Sequence, residues 1–168
     1  MATIEDILDE LDRWYQEPST GGDRPKLLSK FAVMELCGWI ENEFDRLIRE
    51  IDGVCLQDAP WVEREVIART YGFNYGDHLR PMLTRVIGEV LARRAETNME
   101  QQNPGDLDRL RAMLGDLWKQ RCLFAHSDIP NNVAMQQTFN APSWSKNQYR
   151  LIRKINDRFR TVLLATLP

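Results

Sequence analysis

The sequence predicts an all-α protein: a bundle of four long antiparallel helices with one or two short ones added. Three observations lead there. Apolar residues recur every three or four positions in nearly every segment, the period of a helix with one buried face. No stretch shows the strict two-residue alternation of a half-buried strand. Breaks rich in proline and glycine, such as PSTGGD, and helix-start signals such as Asn103–Pro104 separate the periodic stretches. Helices joined this way bury their apolar faces against one another.

The elements follow in order. Thr3 caps a first helix to about Gln16, with Asp6 at the reciprocal capping position and Ile4, Ile7, Leu8, Leu11 and Tyr15 at helical spacing. The PSTGGD stretch then breaks the chain, so this helix can be an appendage to the rest. Asp23 and Pro25 open a long second helix with the stripe Leu28, Val33, Leu36, Ile40, Phe44, Leu47, Ile48 and Ile51, and Gly53 is its expected stop. Pro60 opens a short third helix closed by Gly72. Asp77 is the expected cap of a fourth helix reaching about Arg94, with Pro81 harmless in its first turn. Asn103 and Pro104 introduce a fifth helix ending near His126. A polar loop from Ser127 to Ser143 leads to a last helix from about Ser145 to Leu167.

With 168 residues, 43% hydrophobic and 28% charged, the chain supports one domain with a real core and is not disordered. A formal net charge of -3 gives no bulk attraction to nucleic acid, so any such site must be a local basic patch. The three cysteines, Cys37, Cys55 and Cys122, are odd in number and form no CxxC pair, which argues against a disulfide framework and for a reducing cytoplasm. Two histidines and no HExxH argue against a metal cage. The acidic N-terminus does not read as a signal peptide, and no apolar run approaches the ~20 residues of a membrane span.

One residue breaks the pattern. On a wheel of about 100° per residue, Leu107, Leu110, Leu114, Leu117, Trp118, Cys122 and Ala125 share an arc of the fifth helix, and Arg121 lies near its middle. A guanidinium in an apolar stripe is costly unless paired and hydrogen-bonded. Either Arg121 is structural, salt-bridged or snorkelling to the rim, or it lines an opening in the bundle. His126 sits at the C-terminal end of the same helix, where the last carbonyls favour an imidazolium. It is either a C-cap or the functional companion of Arg121. Five residues of ideal helix turn by about 140°, so the two converge only if the helix distorts or a second copy supplies the facing residue.

Arg121, four residues and then His126, at the end of a long helix in an all-helical chain, resembles the R-x4-6-H motif of the HEPN superfamily. The segments KLLSKFAVMELCGWIENEFDRLI and FNYGDHLRPMLTRVIGEVL are similar to an early and a middle helix of its bacterial branches, and the resemblance runs from about Lys26 to Leu167. It implies a metal-independent endoribonuclease of a bacterial defence or toxin–antitoxin system, needing no cofactor and acting on RNA as a homodimer with paired motifs across a cleft. Arg121 would hold the scissile phosphate and His126 would move protons. The same resemblance admits a non-cleaving module that dimerises, or binds nucleic acid or a partner such as an antitoxin or a nucleotidyltransferase. Cys122 departs from the family pattern, because active members commonly carry a polar residue after the arginine; it is either an accessory residue acting as a weak donor, the mark of a member that has lost cleavage, or a small buried hydrophobe.

Other residues have two readings. Glu41 and Glu43 flank the stripe of the second helix and could pair with Arg121 or orient His126, or simply form a solvated face. Lys146, Arg150, Arg153 and Lys154 belong to the most basic stretch, together with Arg158 and Arg160. They could contact an RNA backbone, or neutralise the acidic first helix with its Glu5, Asp6, Asp9, Glu10 and Asp12. His78 reads as a surface or capping residue. Trp39, Trp61, Trp118 and Trp144 read as packing before base-stacking.

Overall fold

The computed structural model describes residues 2–125 and 139–168, and among these the chain is helical, with no strand. Helix α1 spans Ile4–Gln16, α2 Arg24–Val54, α3 Ala59–Trp61, α4 Arg80–Gln102, α5 Asp106–Ala125 and α6 Pro142–Thr166. The chain divides into two compact units, each assembled from separated stretches. One comprises Met1–Trp39 and Asp116–Leu151, the other Ile40–Gly115 and Ile152–Pro168. Helices α2, α5 and α6 each contribute to both.

The first unit is built on α1, the start of α2 and the facing ends of α5 and α6. The Thr3 hydroxyl accepts from the Asp6 N–H at 3.2 Å, and the Asp6 carboxylate accepts from the Thr3 N–H at 2.8 Å, so the expected capping box is present. That backbone donor, with the Thr3 hydroxyl behind it, holds the Asp6 carboxyl below its usual range. Leu8, Leu11, Val33, Leu36, Cys37, Leu117 and Phe124 are buried, and the rings of Trp39 and Tyr149 meet edge-on at 4.8 Å.

In the second unit the stripe of α2 from Ile40 to Ile51 is buried as expected. Gly53 does not end this helix. The Asp52 carbonyl accepts from both Leu56 and Gln57, whose φ is 54°, and the buried Asp52 carboxylate accepts from the Asp58 N–H at 2.9 Å. A side-chain acceptor in the core thus fixes the exit of the chain, where a glycine was expected to.

The third helix is a single turn, capped by Asp58, that widens over Val62–Ile67 until the Ala68 N–H reaches the Glu63 carbonyl at 2.9 Å. A second widened turn, Tyr75–Leu79, leads into α4, and its cap is Asn74 instead of Asp77. The Asn74 side chain accepts from Gly76 and Asp77, while the Asn74 N–H donates to His78 Nδ1 at 3.0 Å. His78 is therefore a capping residue.

The largest departure is inside α4, which continues to Gln102 but is not one rod. Gly88 has φ 79° and ψ 161°, a conformation that essentially only glycine adopts. Arg80 Nε lies 3.3 Å from Glu96 Oε1, although the two are 16 residues apart. A continuous helix would separate them by about 24 Å, beyond the reach of any two side chains. The segments before and after Gly88 therefore fold back on each other.

The fold-back is held by a charge network. Arg80 makes two hydrogen bonds to Glu89, at 2.8 and 3.0 Å. Glu96 accepts from Arg80, from Arg111 at 3.2 Å and from the buried Tyr75 hydroxyl at 2.9 Å, and Arg111 also stacks over the Tyr75 ring. Burial first, and then Glu96, push the Tyr75 phenol above its usual range, so it serves this network as a neutral donor.

Candidate functional site

Helix α5 is opened at Asp106 by a turn in which Gly105, at φ 77°, takes the left-handed conformation after Pro104. Its stripe is buried as the wheel predicts: Leu107, Leu110, Leu114, Leu117 and Phe124 are all nearly inaccessible, whereas Ala125 is exposed. Arg121 continues this row, one turn after Leu117 and one turn before Phe124, yet it is only half-buried. Its guanidinium carbon lies 5.2 Å from the centroid of the Trp118 ring. Such stacking steadies a cation without neutralising it. Cys122 is half-buried and is not in a disulfide.

His126 and the segment through residue 138 lie outside the described residues. On either side of that segment, Phe124 and Phe139 meet edge-on at 5.0 Å.

Of the candidate accessory residues, Cys122 belongs to the first unit, and Glu41 and Glu43 to the second. Glu43 is paired with Arg46 one turn along α2. Glu41 adds to the negative surroundings of Asp45, whose carboxyl is pushed up first by burial, against the pull of Arg49, and further by Glu63 and Glu41.

The basic stretch of α6 is engaged within the protein. Lys146 pairs with Asp9, and Arg150 makes two hydrogen bonds to Glu5, at 3.0 and 3.2 Å. For these two residues the geometry follows the charge-neutralising alternative, α6 against α1. Further along, Arg158 bonds Asp106 at 2.6 Å, and Arg160 clamps Glu50 at 2.6 and 2.7 Å. Arg153 and Lys154 are exposed.

Sequence reasoning missed the Tyr75–Glu96–Arg80–Arg111 cluster, because its members come together through the turn at Gly88 and the connection from α4 to α5. Among the described residues no group of three or more His, Cys, Asp or Glu side chains is placed to hold a metal ion, and no helix is long and apolar enough to cross a membrane. No protein-family model, curated protein or solved structure matches the chain.

Proposed function

We propose that this chain is a HEPN-like endoribonuclease of a bacterial defence or toxin–antitoxin system, a four-helix bundle acting as a cytoplasmic homodimer and cleaving RNA without a metal. The observation that carries the proposal is Arg121. It stands in a row of buried side chains, between Leu117 and Phe124, yet stays half-exposed and stacked on Trp118. A guanidinium so placed can fork onto two phosphate oxygens. The resemblance of Arg121-x4-His126 to the HEPN motif supplies its partner.

In this reading the ribose 2'-hydroxyl attacks the adjacent phosphorus and gives its proton to a histidine. The P–O5' bond breaks, and O5' leaves with a proton returned by a histidine. Arg121 offsets the charge that builds on the phosphate oxygens. The products are a 2',3'-cyclic phosphate and a 5'-hydroxyl, so no water, metal or cofactor enters the balance.

The test is cleavage of a mixed RNA pool in excess chelator, with chemical mapping of the ends. Wild type should leave 2',3'-cyclic phosphates, and Arg121→Ala and His126→Ala should each cut at least about 100-fold more slowly. Absence of any wild-type cutting would overturn the nuclease reading. Cys122, in place of the usual polar neighbour, favours one alternative: a non-cleaving module that binds RNA, an antitoxin or a nucleotidyltransferase. That module would bind its partner with wild-type affinity after His126→Ala.

A further inference from the structure

The first unit holds a cleft of about 420 Å³ between α1 and the first turns of α2. Its walls are apolar: Leu11 and Trp14 from α1, and Leu27, Leu28, Phe31 and Met34 from α2. Leu27 and Phe31, one turn apart, are 43% and 51% exposed. A pair of large apolar side chains on one helix face, beside a half-buried tryptophan, presents a continuous apolar surface to solvent.

The cleft is preformed. The Thr20 hydroxyl donates to the Trp14 carbonyl at 2.6 Å, the Thr20 N–H to Glu17 at 2.9 Å, and the Arg24 N–H to Gly21 at 3.3 Å. The connection between α1 and α2 is thereby tied at both ends, and little ordering is left to be done when a ligand enters.

Its charged groups are cations. Arg24 and Lys30 line it and no acid does, in a chain whose net charge is -3; Lys26 nearby is paired with Asp23 at 3.3 Å. Arg24 is 3.7 Å from Glu17 with both side chains about half exposed, a pair loose enough for a ligand anion to replace. Lys30 makes no ion pair among the described residues. The volume lies within the range of about 300–1,000 Å³ typical of small-molecule sites.

We propose that this cleft binds an amphiphilic monocarboxylate, a medium-chain fatty acid or its chemical equivalent, with the chain against Trp14, Leu27 and Phe31 and the carboxylate at Lys30 and Arg24. The apolar walls select the chain, and the cationic rim selects the head.

The experiment is calorimetric titration of the full chain with dodecanoate below its micelle concentration, beside dodecanol and dodecyltrimethylammonium. The expected result is saturable binding of one dodecanoate per chain, about tenfold weaker binding of the alcohol, and none of the cation. Lys30→Glu should weaken dodecanoate about tenfold, and Phe31→Asp should abolish it, both with unchanged circular dichroism. Equal binding of dodecanoate and dodecanol would overturn the proposal, as would binding that survives both substitutions. Sedimentation gives the remaining outcome: if dodecanoate does not bind and Phe31→Asp dissociates an oligomer, the cleft holds a second copy of the chain and the proposal fails.

Discussion

The two units use charge differently. In the second, Glu96 retains 17% of its side-chain exposure and is shared by Arg80, Arg111 and the Tyr75 hydroxyl. Charges there close a fold-back that the backbone alone would not make. In the first, most of the described ion pairs are between largely exposed side chains, as with Arg13–Glu10 and Arg150–Glu5, and such pairs contribute little to stability; Lys146–Asp9, with the lysine partly sheltered, is an exception. The first unit also keeps Arg121 half-exposed in an apolar row and leaves an apolar cleft uncovered. Charge in the second unit specifies structure; in the first, the proposals above give part of it to a ligand.

Breaking the network should give the largest effect. Glu96→Ala removes the common acceptor of three donors, one of them buried, and should cost about 2–3 kcal/mol by urea titration, below the full figure for a sealed pair because Glu96 meets some solvent. Gly88→Ala forces an alanine into the conformation at φ 79° and should cost about 1–2 kcal/mol by the same measurement. Gly38 sharpens the contrast. It lies within α2 in the first unit, with nothing within 4 Å of an added Cβ, so Gly38→Ala should stabilise by about 0.5–1 kcal/mol. Arg150→Ala, which breaks an exposed pair, should change stability by less than about 0.5 kcal/mol.

Acid should separate the units as well. Arg80, and next Arg93, hold the Glu89 carboxyl at about 2, below its ordinary 4.5, and Arg160 and Arg49 lower Glu50 and Glu63 in the same unit. A depressed carboxylate stabilises the fold above its unfolded value, and that contribution is lost as it takes up its proton. Amide protection in the second unit should therefore fall as pH drops from 4.5 toward 2. The change should be larger there than around α1, where Asp6 is lowered by its capping bonds.

Much of the helical layout was legible because its causes are local. The Thr3–Asp6 box, the stripe of α2 and the leucine row of α5 each depend on residues within one or two turns. The turn at Gly88 was not. A glycine costs a helix only about 1 kcal/mol, and RVIGEVL reads as uninterrupted. What bends it is a set of pairs up to 16 residues apart in α4, and a tyrosine and an arginine from outside that helix. Gly53 failed as a stop for a related reason, since the buried Asp52 decides where α2 ends. At the candidate site, the out-of-place Arg121 was visible as a charge in an apolar stripe. Whether it would be sealed or half-exposed depends on residues distant in sequence. The α6 cations were legible as a patch, and their partners on α1 as its opposite, but only geometry shows Lys146 and Arg150 engaged.

The most direct test sets stability beside activity in one substitution, Arg121→Ala. If Arg121 is kept for a ligand phosphate, its contacts, the stacking on Trp118 among them, carry little of the fold's stability, and Tm should move by less than about 4 °C. Chelator-resistant RNA cleavage should meanwhile fall at least about 100-fold. A Tm lowered by more than about 8 °C, or RNA cut at the wild-type rate, would contradict the account.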